Sequence, residues 1–168
     1  MQIDRRGHAR PHRPAIAGNM PFVALYPSAR LALWGLRYWA ACTGQGRCPS
    51  LLLRDVYASA GVPLAPANID RLMRIFLIAA RHPPALGCPA CTRLTDDEAE
   101  LLNAMISAQG GDGVGLEHMM TAWLPPEAAQ TAGAVLEGYS RLMLDAGYDL
   151  SSDRVPVLER APVGSRLH

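Results

Sequence analysis

The sequence predicts an all-α protein, a compact bundle of five or six helices with disordered N- and C-terminal tails. Apolar residues recur every three or four positions through the middle of the chain, and strand-like alternation is almost absent. Segments rich in proline and glycine separate these periodic stretches. The chain has 168 residues, of which 49% are hydrophobic, so one domain can bury a substantial core. We therefore expect a single helical domain over residues 28–150, between a basic tail (1–27) and a flexible tail (151–168).

The first two helices are predicted over residues 28–42 and 48–61. Ser28 is a plausible N-cap for the first helix, and Pro49 suits the first position of the second. Gly61 is placed to end the second helix. The first helix is apolar around much of its circumference, which indicates a central position or contact with a partner. The expected buried positions are Leu31, Leu33, Trp34, Leu36, Tyr38 and Trp39 in the first helix, and Leu52, Leu53, Val56 and Tyr57 in the second.

Four further segments carry helical signals. A third helix is predicted over residues 67–81, where "HPPALG" ends it. Thr95 and Glu98 form a capping box that begins the fourth, and a short fifth helix is expected over residues 116–123. The last helix begins in "LPPEAAQ" and ends at Gly147. The expected buried positions are Ile69, Leu72, Met73, Phe76, Ala80, Leu101, Leu102, Met105, Ile106, Val135, Leu136, Tyr139, Leu142 and Met143.

Composition excludes several classes of function. The net charge is +1, so there is no overall preference for nucleic acid or an acidic lipid surface. All sixteen basic residues are arginine, which excludes the lysines of phosphate loops, Schiff bases and kinases. No uncharged apolar run reaches the length of about 20 residues that a membrane span needs. We expect a cytoplasmic protein that does not contact a membrane.

The cysteines suggest a metal site. Cys42, Cys48, Cys88 and Cys91 form two close pairs, and zinc binds four thiolates tetrahedrally. The spacing of the first pair is loose, and His82 could replace one ligand. The alternatives are small buried thiols packed like alanine, or a disulfide or redox pair. Redox chemistry of the thioredoxin type is disfavoured because the predicted helix begins after Cys91 and no strand precedes Cys88.

Residues 53–76 resemble a helix-turn-helix, in which Arg71 and Arg74 would contact DNA. Three features disfavour it: Tyr57 lies where that motif packs a small residue, the turn is too long, and Pro66 interrupts the start of the second helix. Two ordinary packed helices are therefore preferred. We find no catalytic constellation, and "GGDGVG" lacks the strand and lysine of a phosphate loop.

The segments "ARLALWGLRYWA", "CPACTRLTDDEAELL" and "WLPPEAA" resemble a small all-helical protein family of alphaproteobacteria whose function is unknown. The resemblance spans residues 29–147 and implies an all-α bacterial protein without assigned catalytic residues. Taken with the apolar first helix, this predicts a non-catalytic accessory or regulatory module that binds another protein or itself. The two alternatives are a cysteine-ligated zinc domain and a DNA-binding regulator.

Overall fold

A computed structural model describes residues 15–152 and confirms the all-α class. Within these residues the extended pairing is limited to one isolated antiparallel bridge, between Pro21 and Arg93. A 3-10 turn (Phe22–Ala24) precedes the bundle. The helices are α1 (Pro27–Gly44), α2 (Ser50–Ser59), α3 (Ala65–Ala79), α4 (Asp96–Gly110), α5 (Gly113–Met120) and α6 (Pro126–Asp145).

Two helices organise the core. The longest, α6, packs against α3, α4 and α5, whereas α1 packs against α2, α3 and α4. Their apolar stripes meet in one continuous cluster that includes Leu36, Leu102 and Leu136. The prediction for α1 was only partly right, because Leu33, Leu36 and Trp39 are buried while the other three positions are half-buried. In α2 the prediction was wrong for Leu52, which is exposed.

The end signals of several helices are confirmed. The Thr95 hydroxyl accepts a hydrogen bond from the Glu98 amide at 3.1 Å, and the Glu98 carboxylate accepts one from the Thr95 amide at 2.9 Å. Gly61 and Gly147 follow the ends of α2 and α6 with φ of +77° and +88°. Glycine tolerates this left-handed conformation without a steric cost from a Cβ atom.

Four helix starts differ from the prediction. Helix α2 begins at Ser50, and Pro49 is its N-cap and not its first helical residue. The N-cap of α1 is Tyr26 and not Ser28, because Pro27 supplies the backbone angle of the first turn. The buried Ser28 hydroxyl instead donates to the Asp149 carbonyl at 2.7 Å. Pro66 lies in the first turn of α3, which begins two residues earlier than expected. Asp112 begins α5 early, since its carboxylate accepts from the Gly115 amide at 3.0 Å.

The prediction of a disordered tail up to residue 27 is wrong for residues 15–27. The Asn19 and Phe22 amides donate to the Leu94 and Thr92 carbonyls at 2.9 and 2.8 Å. The Ile16 amide donates to the Asn103 side chain at 3.0 Å. Prolines are compatible with an extended segment that pairs through the amides of its other residues. The rest of the two predicted tails, 1–14 and 153–168, lies outside the described residues.

None of the helices within residues 15–152 combines the length and the apolar character that a membrane span requires.

Candidate functional site

The candidate site is built around residues 87–93, which we name the cysteine loop. Cys88 and Cys91 form a disulfide across a tight turn, with their Cα atoms 5.1 Å apart. The Cys91 amide donates to the Cys88 carbonyl at 3.0 Å, and the Cys88 amide donates to the Cys91 Sγ at 3.0 Å. Cys88 is exposed and Cys91 is half-buried. Cys88 is therefore the more solvent-accessible residue of the pair.

A fully buried arginine side chain holds the backbone of the cysteine loop in place. Arg37 extends from the middle of α1 and donates to the carbonyls of Cys91 and Arg93 at 2.6 and 2.8 Å. Its other two hydrogen bonds go to the buried Glu98 carboxylate, at 2.7 and 2.8 Å. Guanidinium has a planar fork of five N–H donors, which suits this simultaneous contact with a carboxylate and two backbone carbonyls.

Glu98 is the acceptor at the centre of this network. Besides Arg37, it accepts hydrogen bonds from the amides of Gly87 and Thr95, at 2.8 and 2.9 Å. The same carboxylate thus closes the capping box of α4, balances the buried charge and fixes the start of the cysteine loop. A buried ion pair is tolerated when its polar atoms have hydrogen-bond partners. Here every guanidinium nitrogen of Arg37 and both carboxylate oxygens of Glu98 have one.

Gly87 lies at the point where the loop meets this network. A Cβ atom at this position would lie 3.3 Å from an Arg37 nitrogen, the Cys91 Cβ and a Glu98 oxygen. These are tight contacts, so a larger side chain would require these neighbours to shift. The size of residue 87 therefore couples the cysteine turn to the helix cap.

A groove runs beside the loop, between it and the N-terminal segment. We name it the loop groove; it has a volume of about 320 Å³. Its apolar wall includes the half-buried Phe22, whose ring lies 5.2 Å from the Arg37 guanidinium carbon, and the 76% exposed Val23. The lining residues are Pro21, Phe22, Val23, Pro89, Ala90, Cys91, Thr92 and Arg93.

The other two cysteines lie elsewhere on the sequence and differ in environment. Cys42 is a buried free thiol, as expected for a cysteine packed in the core, and Cys48 is an exposed free thiol. A hydrogen bond with the Ser50 hydroxyl, 3.3 Å away, lowers the pKa of the Cys48 thiol. Among the described residues, no three His, Cys, Asp or Glu side chains group as metal ligands. Zinc binding by the four cysteines remains an alternative, and it would require Cys88 and Cys91 to be reduced to thiolates.

Residues 53–76, which resemble a helix-turn-helix, lie in α2 and α3 and the turn between them. Tyr57 is buried, and its hydroxyl lies 3.1 Å from the Leu31 carbonyl of α1. Arg71 is exposed, and Arg74 donates to Asp70 at 2.7 Å. DNA binding by this segment stays the disfavoured alternative.

Sequence reasoning missed Arg37, Phe22 and Val23 as parts of the site. One signal for Arg37 was available: it is a charged residue inside "LWGLRYWA", a segment apolar on most sides. A charge in such a position requires a buried partner. No comparable signal marked Phe22 and Val23, because their role depends on the path of the N-terminal segment.

No protein-family model, curated protein or solved structure matches this chain. The resemblance to an alphaproteobacterial family therefore remains a prediction.

Proposed function

We propose that this chain is a non-catalytic module that binds an apolar segment of another protein in the loop groove. The observation that supports the proposal is an open apolar groove whose two walls are both held in place by hydrogen bonds. The N-terminal wall is fixed by the Phe22 amide on the Thr92 carbonyl, and the loop wall is fixed by Arg37. A preorganised groove binds without a large entropy cost for ordering its walls.

The chemistry of the groove defines the class of partner. Val23 exposes 76% of its surface, and Pro89 and Ala90 are exposed across from it. Exposed apolar groups that converge in a concave surface are typical of protein-binding sites. We propose that binding takes place in the cytoplasm and gives the chain an accessory or regulatory role.

Site-specific photo-crosslinking tests this proposal. A photoreactive residue is placed at Val23 or, as a matched control, at Val114, an 84% exposed valine in α5 that does not line the groove. We expect one discrete protein adduct from position 23 and none from position 114. Equal adducts from both positions would indicate general surface stickiness and overturn the proposal.

The captured protein is then purified and its affinity is measured for two variants. Val23→Asp should weaken binding by roughly tenfold or more, because a charge in an apolar contact must be desolvated. Val114→Asp should leave affinity unchanged. An affinity unaffected by Val23→Asp would exclude the loop groove as the binding surface.

A further inference from the structure

We infer that Cys88–Cys91 is a reversible redox site, which exchanges electrons with a low-molecular-weight thiol–disulfide couple. The inference is independent of the protein partner proposed above. It depends on three features of the cysteine loop. Cys88 is more exposed than Cys91, a backbone amide lies next to the Cys91 sulfur, and the hydrogen bonds that hold the loop do not involve the disulfide.

Unequal access determines which sulfur is attacked. Cys88 is exposed, whereas Cys91 is half-buried and its carbonyl is held by Arg37. An incoming thiolate therefore reaches the Cys88 sulfur and displaces Cys91. Exchange between thiols and disulfides requires such in-line access to one sulfur.

The displaced sulfur has a hydrogen-bond donor in place. The Cys88 amide lies 3.0 Å from the Cys91 Sγ, so it can donate to the thiolate that leaves when the bond opens. A hydrogen bond to an ionised acceptor is stronger than one to a neutral acceptor. This amide therefore favours Cys91 as the leaving group.

The hydrogen bonds that hold the loop backbone do not depend on the disulfide. Arg37 holds the Cys91 and Arg93 carbonyls, and Glu98 holds the Gly87 amide. None of these three contacts involves sulfur, so opening the disulfide breaks none of them. The two thiols consequently stay close together, and the reverse reaction remains rapid because of their high effective concentration.

The exchange balances in two steps. A thiolate RS⁻ attacks the Cys88 sulfur, the bond between the cysteines breaks, and Cys91 leaves as a thiolate that takes a proton from water. A second RS⁻ attacks the sulfur of the added group, which releases the Cys88 thiolate and RSSR. Two RSH are oxidised to RSSR while the protein disulfide is reduced to two thiols, and RSSR drives the reverse reaction.

The test uses the full chain with Cys48→Ser, which removes the other exposed thiol. The protein is equilibrated with mixtures of reduced and oxidised glutathione, quenched with acid, alkylated and analysed by mass spectrometry. We expect the fraction of the 88–91 disulfide to follow the glutathione ratio in both directions, with unchanged helical circular dichroism. A bond that stays closed at every ratio until the protein unfolds would overturn the inference.

Two further variants, both with Cys48→Ser, test the roles of the sulfurs. With oxidised glutathione, Cys91→Ser should form a glutathione adduct at Cys88, and Cys88→Ser should form an adduct at Cys91 roughly tenfold more slowly. Equal rates would contradict the assigned order of attack. Val114→Asp, an exposed position outside the loop groove, should leave these rates unchanged. The assay contains no protein partner, so its outcome does not depend on the proposed function.

Discussion

The domain contains two buried polar centres that are built differently. In one, Arg37 of α1 pairs with Glu98 of α4 and holds the cysteine loop. In the other, the hydroxyls of Tyr57 in α2 and Tyr139 in α6 lie 3.1 Å apart, with their rings in an edge-to-face arrangement. All four side chains are almost completely excluded from solvent. The first centre is charged and the second is neutral.

The two centres need different numbers of hydrogen-bond partners. The charged centre needs many partners, and those partners include the backbone of a loop that has no regular structure of its own. The neutral centre needs few partners and lies within helices that are already packed. Breaking the charged centre should therefore be much more costly, and it should affect the loop before the helices.

The largest expected effect is that of Arg37→Met. It leaves the Glu98 carboxylate buried without its countercharge, so we expect a loss of about 3–5 kcal/mol in the free energy of unfolding. Urea unfolding of the oxidised protein measures this loss. Arg37→Met with Glu98→Gln removes both charges while keeping a side chain that can cap α4, and it should recover part of the stability. A loss below about 1 kcal/mol for the single variant would show that the pair behaves like an exposed one.

The neutral centre should appear in the response to alkaline pH. Burial raises the pKa of Tyr57 well above its usual value, and it also raises that of Tyr139. A raised pKa in the folded state means that this stability is complete below pH 10 and is lost as pH rises from there towards the folded pKa. The slope should approach about 1.4 kcal/mol per pH unit for each tyrosine.

Unfolding measured by circular dichroism between pH 8 and 11.5 tests this slope, and the absence of lysine removes one competing class of titrating group. The double variant Tyr57→Phe, Tyr139→Phe should flatten the slope, because it removes both buried hydroxyls. A slope that persists in the double variant would assign the alkaline loss to other groups.

Thr95→Ala is expected to have a smaller effect on the charged centre. The substitution removes the hydroxyl that accepts from the Glu98 amide and donates to the Ala85 carbonyl at 2.6 Å. Loss of an N-cap costs about 1 kcal/mol, and Thr95→Ser should restore most of it. If the alanine and serine variants unfold at the same urea concentration, the hydroxyl does not stabilise α4.

The smallest effect is expected at the surface pair of α3. Arg74 is 65% exposed in its side chain and donates to Asp70. Burial raises the pKa of Asp70, but hydrogen bonds from Arg74 and Trp39 outweigh burial and lower the pKa overall. Arg74→Gln should leave the unfolding midpoint within experimental scatter, because solvent screens an exposed pair. A clear destabilisation would show that burial does not explain the difference in stability between this pair and the Arg37–Glu98 pair.

The parts of the fold that could be predicted are those encoded over a few neighbouring residues. The capping box of Thr95 and Glu98, and the stops at Gly61 and Gly147, depend on backbone geometry within one turn. The start of α1 was wrongly predicted because two local signals compete. Pro27 takes the first helical position, so the N-cap is Tyr26 and not Ser28. Such errors shift the end of a helix and leave its existence intact.

The site could be predicted only in part. The spacing of Cys88 and Cys91 and the capping box after them were visible in the sequence. The sequence left open whether the cysteines are free, bound to a metal or joined in a disulfide. The structure shows a disulfide within one tight turn, with Cys42 buried and Cys48 exposed. Arg37 and Glu98 are 61 residues apart, and local pattern carries no information on that contact.

An all-α domain, the approximate extents of its helices and the cap next to the cysteines can be predicted, because these follow from periodicity and backbone chemistry over short distances. The pairing of residues 19–22 with residues 92–94, and the double role of Glu98 as a cap and as the partner of Arg37, are set by the tertiary fold. Burial explains the difference. A carboxylate near the start of a helix satisfies the cap wherever it lies, but it needs a countercharge only once folding has removed the water around it.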